Sequence, residues 1–347
     1  MALLFDKSSK ASEEQQYQEP QHALVRGISS QALNAAVDLR LGGLYSDPVR
    51  ITNLARKRVP LDYYEVKPGV YPNPAGAPPR PPSRSPPSEG LCIELSLDGA
   101  VAKGRCGIVY RVNVHRVLSA DGKELSDISL PPLVAKVAGM RYTPHITREA
   151  WFYDELEALQ GSVIPRCFGL FEAVLQEDTV LVPWKAHGID RGKQEYYPDA
   201  ELDSTDPQDP EAPRSDGEHV VHSRRDPRVP SPVTVSLLLF EELDSTELPL
   251  GGEMNKDLQA EIVDMFAELD RFLVEHNDVA HRNILRAPQS PTAYPSLPSP
   301  YTGRTYSWRI IDFNDSCKFN DDPRVCAMVN REMAEFLVKA LAQGWYP

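Results

Sequence analysis

The chain has 347 residues, of which 41% are hydrophobic and 32 are proline, and it carries a net charge of −13. That is enough for one two-lobed domain plus a good deal of chain outside any core. The acidic balance argues against general nucleic-acid or anionic-membrane binding, and no apolar run approaches a membrane span. The five cysteines show no paired spacing and read as reduced thiols, neither disulfides nor a metal cage. The start, MALLFDKSSK, lacks the basic and long apolar regions of a signal peptide, so a cytoplasmic or nuclear monomer is expected.

Prolines crowd at Tyr71 to Ser88, Pro198 to Pro232 and Pro288 to Pro300. Each cluster is polar, aromatic-poor or proline-broken and buries too little apolar surface to order itself. The first sets off an N-terminal extension, residues 1–70 and partly disordered, behind a linker at 71–89. Within the extension, Ile28 to Leu41 has helical spacing, a serine N-cap option and Gly42-Gly43 to stop it, which predicts a helix.

Strands are predicted near Ile93 to Ala100 and Ile108 to Val117. The segment between them reads LDGAVAKGRCGIVY, with Ala102, Gly104, Gly107 and Val109 in it. Glycines let a hairpin tip lay its backbone N–H groups against phosphate oxygens, where a Cβ would clash; an ordinary hairpin with a flexible tip has the same letters. A third strand, Leu133 to Val137, holds Lys136 in an apolar run, and a buried ammonium needs a partner. Glu149 supplies one from a helix predicted over Thr147 to Gln160, where Glu149, Tyr153 and Leu156 share a face; Glu155 is the fallback. A strand at Cys167 to Leu175 follows, then a disordered acidic insertion at about 187–232, then a strand at Val233 to Phe240.

Asp257 to Glu275 is amphipathic, with Ile262, Phe266, Leu269, Phe272 and Leu273 inward. Directly after it stands His276-Asn277-Asp278-Val279-Ala280-His281-Arg282-Asn283. One carboxylate placed to accept or orient a hydroxyl proton, with an amide oxygen one tight turn later for Mg²⁺, suits this spacing. A polar loop with local capping bonds would also fit it. Ile284-Leu285 and Ile310-Ile311 are predicted to pair across a proline-rich insertion at about 287–305. Asp312-Phe313-Asn314 then puts a carboxylate at a strand end, with an asparagine that tolerates positive φ. A helix over Arg324 to Gln343 closes the chain.

In this order the glycine-rich hairpin, strand lysine, helix glutamate, H-x-D-x-x-x-x-N stretch and D-F-N turn resemble the protein-kinase-like superfamily, over roughly residues 90–347. The segment EAWFYDELEALQGSVIPRCFGLF, Glu149 to Phe171, resembles more narrowly the compact kinase-like proteins of fungi. The resemblance implies an α+β, bilobal fold. Its N-lobe, residues 90–243, is an antiparallel sheet plus a helix, and its C-lobe, residues 244–347, is short and mainly helical. ATP and Mg²⁺ are the implied cofactors. Ala102, Gly104 and Gly107 would cover the phosphates, Val109 the adenine face, and Ala135 would line the nucleotide site. Lys136, held by Glu149, would anchor the α- and β-phosphates. Backbone groups of Glu241 and Leu243 would meet the adenine edge, with Phe240 behind it. Asp278 is the implied base or orienter, and Asn283 and Asp312 the metal ligands.

Two departures qualify that pattern. Nothing after Asp312 resembles the A-P-E segment, so the activation segment is expected to be rudimentary. Ala280 stands where serine/threonine kinases carry lysine, and Arg282 either neutralises the γ-phosphate in its place or pairs with an acidic neighbour. The expected function is ATP/Mg-dependent phosphotransfer to an unknown hydroxyl acceptor, protein or small molecule. The alternative is an inactive, nucleotide-binding scaffold, and dependence on Asp278 separates the two.

Overall fold

Alternating burial builds the sheet. In β3 (Leu91–Lys103), Ile93, Leu95 and Leu97 point inward while Glu94 and Ser96 sit nearer solvent, the period of two expected of a half-buried strand. The computed structural model describes residues 36–42, 52–60, 90–104, 106–126, 128, 130–138, 142–175, 233–318 and 323–346. The linker at 71–89, the acidic insertion and most of the 1–70 extension lie outside these residues.

Seven of the described strands close into a barrel: β1 (Ala36–Gly42), β2 (Thr52–Lys57), β3, β4 (Ile108–Leu118), β5 (Leu133–Ala138), β6 (Cys167–Leu175) and β7 (Val233–Glu241). Their order is β1-β2-β6-β7-β5-β4-β3. Within residues 90–243 the sheet is antiparallel, as expected; what the sequence did not offer is β1, which runs parallel to β3 while pairing antiparallel with β2. β2 in turn pairs with β6 and completes the ring. The helix predicted over Ile28 to Leu41 is therefore corrected for its described part. Leu39 and Leu41 are buried at a spacing of two, and Arg40 points out to Glu94 at 2.8 Å. The letters AVDLRL fit either period. Two strand edges, on β2 and β3, decide for extended chain, and closure leaves neither edge unpaired.

The barrel interior is packed with Leu39, Ile93, Tyr110, Ala135, Phe168, Phe171, Leu237 and Leu239. Helix α1 (Thr143–Glu155) lies against the opposite face of β5 and β7. It starts earlier than predicted because Pro144 suits the first turn, where its missing N–H costs nothing. It also ends earlier, tightening into a 3₁₀ turn at Glu157–Leu159.

A second core joins α1 to the rest of the chain. Helix α2 (Lys256–Leu269) is capped by Asn255, whose Oδ1 accepts from the Leu258 N–H at 2.9 Å. It stops short of the predicted Glu275: a 3₁₀ turn at Asp270–Phe272 and a left-handed Leu273, φ 54°, break it. The following β8 (Val274–Glu275) pairs with β11 (Cys317–Lys318), and β9 (Ile284–Arg286) pairs with β10 (Trp308–Ile310). Helix α3 (Pro323–Ala342) packs on α2.

The proline-rich stretch at 287–305 does not behave as a loop unable to order itself. Tyr294 is buried against the Phe168 ring, 6.4 Å between centroids, with Arg166 over its own ring. Leu297 N–H donates to Gly161 O at 2.8 Å. The buried Arg309 donates to Ser296 Oγ at 2.6 Å and to the carbonyls of Gly161, Tyr306 and Trp308, and burial pushes its pKa down to about 10. Backbone acceptors and one aromatic anchor order this stretch.

Candidate functional site

Lys136 is the centre of the site. Its Nζ lies 2.7 Å from Glu149 Oε2 on α1 and 2.7 Å from Asp312 Oδ1 beyond β10. Burial alone would lower the ammonium, and the two carboxylates outweigh it, so its pKa is raised. Burial likewise pushes Glu149 up to about 7, against the opposing pull of Lys136. A lysine is tolerated inside this strand because its charge is matched on both sides.

Register decides what shares its face. Lys136 pairs across the ladder with Val109 and Leu238, and Val109 with Ala102, so these side chains lie on one face of the sheet. Ala135 does not. It is fully buried in the barrel interior beside Tyr110 and Leu239, since neighbouring residues on a strand point opposite ways. The expectation that Ala135 shares a site with Lys136 is therefore corrected; the strand residue on the Lys136 face is Val134, two positions before it.

At the β3–β4 turn, the Gly104 N–H donates to Gly107 O at 2.9 Å. A Cβ on Gly107 would stand 2.7 Å from Val137 O, so this glycine is required by the turn's approach to β5. Gly104 faces no such limit. Cys106, between them, is buried, and Asn314 Nδ2 donates to its Sγ at 3.1 Å.

The stretch from His276 to Asn283 folds back on Asp278. Asn283 Nδ2 donates to Asp278 O and to Asp278 Oδ2, each at 2.8 Å. Arg282 Nη2 reaches Asp278 Oδ1 at 2.9 Å and Oδ2 at 3.2 Å. Of the two roles left open by the sequence, pairing with an acidic neighbour is thus the one made here. Two bonds set this loop beside Asp312: His276 Nε2 with Ile311 O, and Ile311 N–H to Asn283 O, both 2.9 Å. His276 is buried, and desolvation lowers its pKa. The left-handed backbone in the D-F-N turn falls on Asp312, φ 66°, and not on Asn314, which sits in the 3₁₀ turn Phe313–Asp315. Below it Phe313 stacks edge-on against His276, 4.9 Å, and Tyr153, 5.4 Å.

Glu241 is less available than the sequence implies. Its carboxylate accepts from Arg166 N–H at 3.0 Å and from the Arg166 guanidinium at 2.6 Å, and its own N–H donates to Arg166 O. The Leu243 N–H makes no backbone hydrogen bond among the described residues. Phe240 packs on Tyr153 at 4.8 Å. Glu155, the fallback partner of Lys136, is taken by Lys318 at 2.7 Å. No sequence signal marked Lys318, which follows the recognisable turn by a few residues. A groove of about 720 Å³ lies elsewhere, on the outside of β2 and β6 beside the start of α1, and includes none of these residues.

A hard dication such as Mg²⁺ takes oxygen donors. Asn283 spends its Nδ2 on Asp278, Lys136 takes one oxygen of Asp312, and the Asp312 side chain is 30% exposed. The Ile311 N–H to Asn283 O bond joins Asn283 to the residue before Asp312, so the oxygen donors on hand there are the Asn283 amide oxygen and the second Asp312 carboxylate oxygen.

No protein-family profile and no curated protein matches the chain. Among solved structures it is similar to the crystal structure of Rad53 1–466 in complex with AMP-PNP, at 14% sequence identity and a TM-score of 0.36. The match covers 74% of this chain and 48% of that one, so the chain spans about half of its length.

Proposed function

We propose that the chain is an ATP- and Mg²⁺-dependent phosphotransferase of the protein-kinase-like type, acting on a hydroxyl acceptor. The observation that carries this is the ammonium of Lys136 lying 2.7 Å from both Glu149 and Asp312, while Asn283, bonded to Asp278, accepts from the N–H of Ile311 just before Asp312. In this reading the barrel and α1 form the N-lobe, joined by strands of the extension, and residues 244–347 belong to a C-lobe. Ala102, Gly104 and Val109 roof the nucleotide, with the Leu243 N–H toward the adenine edge.

Mg²⁺, held by Asn283 and Asp312, supplies charge neutralisation on the phosphates when bound. Lys136 turns from Asp312 toward the α- and β-phosphates and stays fixed by Glu149. Asp278 orients the acceptor hydroxyl and takes its proton as the new oxygen–phosphorus bond forms and the bond to the ADP oxygen breaks. Arg282, already beside Asp278, brings a positive charge near the transferred group.

The second reading is a nucleotide-binding scaffold. It is favoured by the carboxylate of Asp278, both of whose oxygens already accept hydrogen bonds from Arg282 and Asn283. MgATP-dependent phosphate transfer to the protein itself and to a mixed protein lysate, with wild type against Asp278→Asn, separates the two. The enzyme reading expects transfer that falls by at least ~10²-fold in the variant while MgATP binding persists. MgATP binding without transfer by either protein supports the scaffold.

A further inference from the structure

We propose that Lys318 is a positioning residue: the strap Asp315–Lys318 ties α1 to the catalytic loop and thereby holds Glu149 against Lys136. The inference rests on the phosphotransferase reading for its purpose, though not for its geometry.

The strap is bonded on both sides. Toward α1, Lys318 Nζ reaches Glu155 Oε1 at 2.7 Å, and both side chains are almost fully buried. Arg148 Nε donates to Ser316 O at 3.1 Å, and its Nη2 points to the same oxygen. Toward the loop, Ser316 Oγ donates to His276 O at 3.1 Å, and Asn277 Nδ2 reaches Asp315 O at 3.3 Å and Cys317 Sγ at 3.2 Å. Lys318 further donates to Phe272 O in the 3₁₀ turn after α2, and β11 pairs with β8 directly before His276.

Residues 148 and 155 are two turns apart on α1 and so fall on one side of it, with Glu149 beside the first. The helix is thus held by cations at three points: Lys136 from the sheet, and Arg148 and Lys318 across to the strap. Net stability is a poor reason for a buried pair, since well-packed apolar residues commonly do as well. Direction is the better one. An ammonium fixed by Phe272 O and Glu155 sets the height and rotation of α1, and with them the meeting of Glu149 and Lys136.

The test uses the full chain and reads Lys136 directly. Trace acetylation with acetic anhydride, followed by peptide mass mapping, gives the reactivity of Lys136 and needs no nucleotide. MgATP affinity is measured alongside, at a temperature where circular dichroism shows every variant folded. Lys318→Met should raise Lys136 reactivity and weaken MgATP binding, each by ~10-fold, as the helix opens locally. The double variant Lys318→Met/Glu155→Met removes the stranded carboxylate, so it should regain thermal stability while Lys136 stays reactive. Recovery of both in the double variant, or unchanged reactivity in the single one, overturns the proposal. If Lys318→Met does not fold, Arg148→Met takes its place, with a rise of ~3-fold expected and no rise overturning it. A wild type that binds no MgATP defeats the phosphotransferase reading alone, and the acetylation result still decides the role of Lys318.

Discussion

Asn314 Nδ2 lies 3.1 Å from Cys106 Sγ, a bond between the turn after Asp312 and the tip of the glycine hairpin, 208 residues apart in sequence. The contact ties the hairpin tip to the turn that carries Asp312. A glycine at 314 would have no side-chain donor to offer. An N–H···S bond is weak, so its loss should free the tip without unfolding the barrel. Asn314→Gly is expected to speed the reaction of Cys106 with a thiol reagent by ~5-fold, the equivalent of about 1 kcal/mol of local opening. An unchanged rate would mean that Gly107, packed on Val137, holds the hairpin by itself.

Glu149 sets a pH dependence of opposite sign for stability and for binding. Burial pushes its carboxyl up to about 7, from an ordinary 4.5. The folded protein therefore holds this proton more tightly than the unfolded chain does. Its contribution to stability is complete below about 4.5 and is lost as pH rises toward 7. The ion pair with Lys136 needs the carboxylate, so the anchor for phosphates assembles over that same rise. Wild type should lose thermal stability between pH 5 and about 7.5 relative to Glu149→Gln, yet gain MgATP affinity between about pH 6 and 8 where the variant gains less. Parallel profiles for the two proteins would remove Glu149 from both roles.

Arg282 separates a surface pair from a transition-state charge. Its side chain is 61% exposed, and an ion pair this wet is worth less than about 1 kcal/mol. Arg282→Met should therefore unfold at nearly the wild-type temperature. Transfer should nonetheless fall by ~10²-fold, the usual cost of removing one preorganised charge at a reacting centre. A variant as active as wild type would leave Arg282 with only its bond to Asp278.

What could be read from the sequence follows from where the constraint sits. Lys136, Glu149, Asp278, Asn283 and Asp312 were singled out by spacing, and in the structure Lys136 meets both Glu149 and Asp312 while Asn283 meets Asp278 and the residue before Asp312. Ala135 was readable too, since a residue next to Lys136 on a strand must point the other way. The pairing of Lys318 with Glu155 was not, because two ordinary charges 163 residues apart carry no local pattern. The left-handed backbone at Asp312 and Leu273 likewise has no glycine to announce it. Both positions are set by packing around them.

The extension is where local pattern misleads most, and it yields the sharpest stability test. Leu39 is fully buried in the barrel, between partners on β2 and β3. If β1 closes the barrel, Leu39→Ala leaves a cavity in the core and should cost about 2–5 kcal/mol by urea denaturation. The exposed neighbour Asp38 is its control, since Asp38→Ala removes a solvent-facing side chain and should change stability by no more than about 0.5 kcal/mol. A helical extension lying on the surface would make the two substitutions comparable. A large difference between them, in one cooperative transition, would mean that residues far before the glycine hairpin belong to the same folding unit as Lys136.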